Sequence, residues 1–282
     1  EARAEGARPN RGRGACLPPE AQDEAREETR TASQKGAEVR FFTGLHQPSD
    51  AQHFDAAFVS VNRLRNRKSS FKVGDWIMDS GAFTTIAKHG GYPLPVEDYA
   101  ADIRAILGRQ THGNLLAAVA QDYMCEAWML AKTGLTVAEH QRLTIERYDA
   151  LLACRPGVYV MPVLQGYDPS DYVSHARQYW QRLALGAWVG VGSICKRNGD
   201  PRAIEAVLLA INRERPDLRL HGFGLKTTAL SSGLVQQLLH SADSMAWSFA
   251  ARRLKRNPND WREAKAWAAR IEKRPLQPHL FI

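Results

Sequence analysis

Three aspartates and one glutamine stand beside short apolar segments of this 282-residue chain: Asp79, Asp122, Gln165 and Asp243. Asp79, for example, directly follows Trp76-Ile77-Met78. Carboxylates in different environments can keep different pKa values, so one can act as a nucleophile while another transfers protons. The four side chains therefore predict a site for nucleophilic and acid–base chemistry.

A single aspartate after a strand is more often a helix cap than a catalyst, so this prediction depends on the whole set. Glycine-containing turns also follow three apolar segments, one of which is the segment before Asp79. They are Ser80-Gly81, Gly190-Val191-Gly192 and Gly222-Phe223-Gly224. If these acids were only helix caps, there would be no reason for them to occur together with an amide and with glycine turns. We therefore expect all of these residues to lie at one end of a sheet.

Short apolar runs alternate with longer amphipathic segments from residue 39 onward, which is typical of a parallel α/β sheet. The predicted strands are 39–42, 58–61, 76–78, 115–120, 158–164, 188–191, 218–223 and 244–247. The predicted helices are 96–107, 137–153, 170–185, 201–213, 231–241 and 260–273. Eight strands over this length predict a single-domain (β/α)₈ barrel, whose functional residues lie where strands end. An open doubly wound sheet is the alternative, but no G-x-G-x-x-G turn follows the first strand.

Residues 1–38 contain almost no large apolar side chain, so we expect a disordered tail, followed by the barrel domain at 39–282. Lys and Arg number 38 against 30 acidic residues, and this excess of positive charge favours a polyanionic partner. The four cysteines are scattered, which argues against a zinc finger or a disulfide framework and suits the cytoplasm. No apolar run is long enough to span a membrane, and we expect no membrane partner.

The constellation resembles the tRNA-guanine transglycosylase superfamily from about Met78 to Arg252. Asp79-Ser80-Gly81-Ala82-Phe83 is similar to its D-S-G-G-F segment, and Leu164-Gln165-Gly166 to its V-Q-G segment. The two later glycine turns and Ala242-Asp243-Ser244 match further segments of the family.

The resemblance implies base exchange, with Asp243 as the nucleophile on C1′ of a guanosine and Asp79 as the general acid and base. Asp122 and Gln165 would bind the polar edge of the purine, since guanine offers donors that a carboxylate accepts. The other residues that the resemblance places at the base are Ser80, Gly81, Phe83, Gly190, Gly192, His221 and Gly222. No cofactor and no metal are implied for the reaction.

One departure is informative, because tRNA-modifying members carry a zinc site of three cysteines and a histidine near the C-terminus. No cysteine follows Cys195 here, so we expect that subdomain to be missing or replaced. The chain thus resembles the compact branch that inserts 7-deazaguanine bases such as preQ0 into DNA. The alternatives are a tRNA-guanine transglycosylase, a nucleoside or glycoside hydrolase, and a non-catalytic nucleic-acid-binding barrel. A homodimer and a partner modification protein both stay open.

Three basic stretches follow predicted strands and would form a phosphate-binding rim for DNA, or for tRNA in the alternative. Their residues are Arg63, Arg65, Arg67 and Lys68, then Lys196 and Arg197, then Arg252, Arg253, Lys255 and Arg256. A solvated loop is the ordinary explanation for any one charge run, so the rim is predicted from their shared location.

Overall fold

The computed structural model describes residues 39–109, 112–197 and 199–272. The predicted tail, residues 1–38, lies outside the described residues. Within them the chain is a single-domain α/β barrel, which confirms the predicted fold class.

Nine strands form one sheet in which every described pairing is parallel. The strands are β1 (Arg40–Leu45), β2 (Ala56–Ser60), β3 (Lys72–Asp79), β4 (His112–Val119), β5 (Val160–Met161), β6 (Val163–Leu164), β7 (Trp188–Val191), β8 (Arg219–Gly222) and β9 (Leu239–Ser244). Their order is β5-β4-β3-β2-β1-β9-β8-β7-β6.

The two ends of this order are two halves of one predicted strand, residues 158–164, which Pro162 interrupts. Proline has no N–H and cannot donate to a ladder, so the segment changes partner there. The Ala120 N–H donates to the Met161 carbonyl over 3.0 Å, while the Gly190 N–H donates to the Pro162 carbonyl over 2.9 Å. The segment therefore joins β4 to β7 and nearly closes the barrel.

Buried apolar side chains, most of them large, fill the barrel interior. They are Phe42, Phe58, Ile77, Ala117, Val119, Met161, Val163 and Trp188. Because alternate residues of a strand share a face, Asp79 lies on the same side as Ile77, and Gln165 on the same side as Val163. The polar residues therefore lie at the carboxyl ends of the strands, directly above the packed apolar interior of the barrel.

Helices connect most of the strands and cover the barrel from outside. They are α1 (Ala82–His89), α2 (Val96–Gly108), α3 (Ala127–Thr133), α4 (Val137–Ala153), α5 (Pro169–Tyr179), α6 (Pro201–Glu214), α7 (Thr227–Leu230), α8 (Gly233–Leu238), α9 (Ala246–Arg253) and α10 (Trp261–Glu272). Only 3₁₀ turns, at Pro48–His53 and Val61–Arg63, follow β1 and β2. The last helix, α10, takes the place of a helix after β1, because its Trp267 packs on Phe41 with ring centroids 5.5 Å apart.

The predicted strand at 244–247 is wrong, and so is the end of the predicted helix at 231–241, where residues 239–241 belong to a strand. The strand is Leu239–Ser244, and Ala246–Arg253 is helical. Leu239–Ser244 is rich in small and polar residues and has little intrinsic strand preference. Ladders with β1 on one side and β8 on the other impose the extended conformation, which no single-segment pattern reveals.

No helix among the described residues is long and apolar enough to cross a bilayer. In the same residues, no group of three or more His, Cys, Asp or Glu side chains could hold a metal ion.

Candidate active site

The four predicted polar residues come from separate strands and lie at the same end of the barrel. Asp79 is the last residue of β3, Asp122 follows β4, Gln165 follows β6, and Asp243 is one residue from the end of β9. The predicted strand at 244–247 would have left Asp243 before a strand. The observed β9, Leu239–Ser244, instead places Asp243 at the carboxyl end of a strand, with the other three residues. Parallel strands bring these ends together, and that is why residues so distant in sequence meet.

Asp79 is a half-buried acid with an altered proton affinity. Burial raises its pKa to about 6, and the nearby charge of Asp243 contributes to the rise. Hydrogen bonds from Ser60 and from the Gly81 backbone N–H, the latter over 3.2 Å, lower the pKa in part. Asp79 can therefore carry or release a proton near neutral pH, as a general acid and base must.

Asp122 and Gln165 form a buried pair in which the Gln165 amide N–H donates to the Asp122 carboxylate. Burial raises the pKa of Asp122 to about 7, with a further contribution from the charge of Asp79, while the Gln165 hydrogen bond lowers it. At its other end the Gln165 amide oxygen accepts from the Ser193 hydroxyl over 2.7 Å. The pair thus has a fixed amide orientation and presents a carboxylate edge to the site.

Gly192 allows Gln165 to occupy this position. A Cβ on Gly192 would overlap the Gln165 side-chain amide, which cannot move aside because Asp122 and Ser193 hold both of its ends. The need for glycine here is therefore close approach rather than a left-handed backbone.

The backbone of Gln165 is clamped as well. Its N–H donates to His175 Nδ1 over 2.8 Å, and its carbonyl accepts from the Gln141 amide over 2.8 Å. An accepting Nδ1 leaves the His175 proton on Nε2, which donates to the Gln141 carbonyl over 3.1 Å. Burial lowers the pKa of His175 to about 3, so this histidine is a neutral structural support.

The loop after β4 contains side chains that sequence reasoning missed. Residues 121–126 are all buried, although they belong to no helix or strand, so their backbone groups need partners. The Met124 carbonyl faces His140 Nδ1 over 2.7 Å, the Tyr123 N–H donates to Thr144 over 2.9 Å, and the Cys125 N–H donates to Ser193 over 2.8 Å.

Glu126 ends this loop, and its carboxylate lies 3.1 Å from the Ser193 hydroxyl. Ser193 itself has a φ of 56°, an unusual conformation for a residue other than glycine. No motif in the sequence marks either residue, but a fully buried loop beside Asp122 is the structural signal that could have found them.

Asp243 is buried, and its Oδ1 oxygen receives two contacts. The Gly224 N–H donates to it over 3.1 Å, and His221 Nε2 lies 3.3 Å away. His221 is completely buried, with Ser241 beside its other ring nitrogen at 2.9 Å. Both ring nitrogens of His221 are thus occupied, which leaves neither for the base contact that the resemblance implied.

The remaining predicted base-site residues differ in exposure. The Ser80 hydroxyl is buried, and among the described residues it has no hydrogen-bond partner. Phe83 is 47% exposed and packs edge-on against Trp128, with ring centroids 5.4 Å apart. Gly81, with a φ of 72°, lies between Ser80 and Phe83 in the sequence and is the N-cap residue of α1. A buried hydroxyl with no partner among the described residues fits a site that a bound polar molecule completes.

Cβ atoms on the two other predicted glycines would overlap neighbouring side chains: the Phe223 ring at Gly190 and Leu225 at Gly222. Gly190 and Gly222 therefore allow neighbouring side chains to pack closely around the site, in addition to any contact with a base.

The family model for DpdA, described as "DeoxyPurine in DNA protein A", matches residues 37–274. The chain belongs to the DpdA family. This match confirms the resemblance to DNA-guanine transglycosylases, and it agrees with the barrel. DpdA proteins act on DNA, and membership makes the chain a transglycosylase-type enzyme of DNA modification. No curated protein matches the chain.

Two of the predicted DNA-binding arginines lie near His46, which directly follows β1. Arg63 follows β2 and Arg252 lies in α9, and both charges lower the pKa of His46, after the larger effect of burial. Two more cations cover exposed rings: the Lys196 ammonium lies 5.5 Å from the centre of Phe83, and the Arg197 guanidinium 4.9 Å from that of Tyr167. These residues fit the predicted rim.

Other members of the predicted rim are engaged elsewhere. Arg65 pairs with Asp102 over 2.8 Å, and Arg256 pairs with Glu263 over 3.4 Å. The Arg67 guanidinium donates to the Ser69 carbonyl over 3.0 Å. The Arg67 carbonyl accepts from Arg109, just after α2, which places Arg67 near the amino ends of the strands. Lys68, Arg253 and Lys255 are exposed. The basic stretches therefore do not all line one mouth.

Asp122→Asn is expected to stabilise the protein at pH 8. The folded-state pKa of Asp122, about 7, exceeds its ordinary 3.8, so the folded state binds the extra proton and loses stability as pH rises between these values. A shift of this size corresponds to about 4 kcal/mol at most. Thermal unfolding should give the variant a melting temperature several degrees above wild type at pH 8, with a smaller gain at pH 5.

Asp75→Asn is the matched control with the opposite sign. The Arg40 and Asn114 hydrogen bonds lower the pKa of Asp75, so its carboxylate stabilises the fold above the ordinary pKa. Its replacement should lower the melting temperature at pH 8. If Asp122→Asn is equally destabilised at both pH values, the ionised Asp122 carboxylate does not destabilise the folded protein at pH 8, which would contradict this prediction.

Proposed function

We propose that the protein exchanges guanine in DNA for a 7-deazaguanine base such as preQ0, through a covalent bond between Asp243 and C1′ of the deoxyribose. The observation that carries the proposal is the meeting of Asp79, Asp122 and Asp243 at one end of the barrel, with the pKa values of the first two raised toward neutral. Membership of the DpdA family supports DNA as the polymer and transglycosylation as the class of reaction.

In the first half of the reaction, Asp243 attacks C1′ while the bond from C1′ to guanine breaks. Positive charge develops at C1′ as this bond lengthens, and the carboxylate stabilises and then captures it. The departing guanine takes a proton from Asp79. In the second half, Asp79 accepts a proton from the incoming base, which displaces Asp243 from C1′.

Asp122 and Gln165 recognise the base by its polar edge. Guanine and 7-deazaguanine both offer N–H donors at N1 and N2, and the Asp122 carboxylate accepts them. Since Gln165 is held by Ser193 on its far side, it cannot rotate to suit a base with the reverse pattern. A base without these donors would leave the buried Asp122 carboxylate or Gln165 amide without a hydrogen bond, and this disfavours such a base relative to guanine by several kcal/mol. Ser80, Gly81, Phe83, Gly190, Gly192 and Gly222 surround the same base in this proposal.

The target nucleotide must leave the duplex before its C1′ can reach Asp243. Arg63, Arg252, Lys196 and Arg197 lie around the mouth and would hold the flanking phosphates. The other basic residues of the original prediction, Arg65, Arg67, Lys68, Arg253, Lys255 and Arg256, contribute mainly to the general positive field. We place the reaction in the cytoplasm.

A double variant, Arg63→Gln with Arg252→Gln, tests the mouth. We expect it to weaken DNA binding at low salt by about tenfold and to reduce the slope of log affinity against log salt by about 2, because each phosphate contact contributes about 1. Arg213→Gln is the control, since this exposed arginine lies in the last turn of α6, toward the other end of the barrel. Equal slopes for the double variant and the control would argue against phosphate contacts at Arg63 and Arg252.

The function is tested by offering labelled guanine or preQ0 together with duplex DNA, single-stranded DNA or tRNA. Label incorporated into DNA supports the proposal. Label incorporated only into tRNA overturns the choice of polymer, and release of guanine without incorporation identifies a hydrolase. DNA binding with neither release nor incorporation identifies a non-catalytic barrel.

A further inference from the structure

The Asp243 carboxylate stands at the end of a chain of buried side chains that begins at Trp188. The Trp188 indole N–H donates to the Ser241 hydroxyl oxygen over 2.8 Å, and that oxygen lies 2.9 Å from His221 Nδ1. His221 Nε2 lies 3.3 Å from Asp243 Oδ1. All four residues are buried inside the barrel, and three of them come from the neighbouring strands β8 and β9.

The direction of these hydrogen bonds follows from the donors available. An indole N–H can only donate, so Ser241 accepts from Trp188. The Ser241 hydroxyl has a proton of its own, and the other partner offered to it by the described residues is His221 Nδ1. With Nδ1 accepting, neutral His221 carries its proton on Nε2 and donates it to Asp243.

Aromatic rings keep the imidazole in this orientation. Phe58 stacks on it with centroids 5.8 Å apart, and Phe42, Trp188 and Phe223 surround it at 6.1, 6.1 and 4.8 Å. A ring packed on several sides cannot rotate without displacing its neighbours. In these apolar surroundings, a hydrogen bond to a carboxylate is stronger than it is in water.

The second donor to Asp243 reaches the same oxygen. The Gly224 N–H donates to Oδ1 over 3.1 Å, so Oδ1 has two donors, and within the described residues no hydrogen bond reaches Oδ2. Oδ2 is therefore the oxygen that is ready to bond to carbon, while Oδ1 fixes the plane of the carboxylate.

We infer that His221 is a positioning residue for the nucleophile, in a role that rests on the proposed function of Asp243. His221 holds Oδ1 and thereby aims Oδ2 at C1′. When the Oδ2–C1′ bond forms, the bond from C1′ to the base breaks, and its electron pair leaves with the base, which takes the proton of Asp79. In the second half the Oδ2–C1′ pair returns to Asp243, and the donated Nε2–H stabilises the departing carboxylate. His221 gains and loses no proton in either half.

Paired substitutions at His221 test this role. His221→Leu removes the donor, and we expect kcat for base exchange to fall about 100-fold, with the KM values for DNA and base within about threefold of wild type. His221→Gln keeps an N–H that can reach Oδ1 and should retain at least about tenfold more activity than the leucine variant. His89→Leu, at an exposed position in the last turn of α1, is the control and should leave both constants unchanged.

The tautomer gives a second readout that does not depend on activity. Nitrogen NMR of the full chain should show the His221 proton on Nε2 in wild type, and a mixture of tautomers in Ser241→Ala. A wild-type proton on Nδ1, or equal kcat values for the leucine and glutamine variants, overturns the inference. If wild type shows no base exchange, the proposed function fails, while the NMR result still decides whether His221 donates to Asp243.

Discussion

Asp243→Asn is expected to lower base exchange in DNA by at least about 10⁴-fold, because an amide cannot form the glycosyl ester with C1′. The side chain keeps its size and can still accept from the Gly224 N–H, so the fold and DNA affinity should change little. Exchange of labelled guanine into DNA measures the first quantity, and a binding titration on the same DNA measures the second.

Asp217→Asn is the control for this loss. Asp217 pairs with Arg215 between α6 and β8, at the amino ends of the strands, and its replacement should leave exchange unchanged. An Asp243→Asn variant that still exchanges guanine at near the wild-type rate would show that another group attacks C1′.

Asp79→Asn is expected to lower exchange by about 10²- to 10⁴-fold, the usual contribution of a positioned general acid and base. The loss should depend on the acidity of the displaced base, since a base that leaves readily as an anion needs less protonation. DNA that contains a more acidic guanine analogue should therefore recover part of the rate in Asp79→Asn but not in Asp243→Asn. Equal rescue of both variants would contradict the separate roles.

The same assignment predicts a bell-shaped pH dependence of kcat/KM for DNA, the substrate that reacts with the free enzyme. Asp79 must hold a proton and Asp122 must be ionised, so the active free enzyme has one proton on this pair of carboxyls. With pKa values of about 6 and about 7, its population is largest between these values. Activity falls at lower pH as both become protonated, and at higher pH as both ionise. The Asp122→Asn variant should lose the bell shape, and a profile that stays flat from pH 5 to 8 in wild type would contradict the pairing.

The sequence is sufficient to predict most of the barrel, because buried parallel strands are short apolar runs separated by amphipathic helices. Leu239–Ser244 is the exception, since its serines and histidine suit a loop as well as a strand. Its conformation comes from the two strands beside it, and Trp247, which looked like part of the strand, belongs to α9 and donates to the Gly44 carbonyl over 2.7 Å. A closed sheet can thus stabilise a strand that has no local signal of its own.

The candidate site is predictable where family motifs mark it and unpredictable where packing alone builds it. Asp79, Gln165 and Asp243 belong to recognisable segments, but Ser193, Glu126 and the supporting His175 do not. Their roles depend on the path of the buried loop after β4 and on the hydrogen bonds that satisfy it. The basic stretches could not be placed from the sequence for a different reason. Arg63 and Arg67 are close in sequence, but Arg63 lies at the carboxyl ends of the strands and Arg67 near the amino ends, because the chain returns toward the start of β3 between them.

The covalent intermediate tests the central claim most directly. Wild-type protein is incubated with DNA in the absence of an incoming base, denatured, digested and mapped by mass spectrometry. The account predicts a deoxyribose-linked DNA adduct on the peptide that contains Asp243, lost when excess guanine is added before denaturation and absent from Asp243→Asn. An adduct on Asp79 instead, or base exchange that proceeds in Asp243→Asn with no adduct, would contradict it.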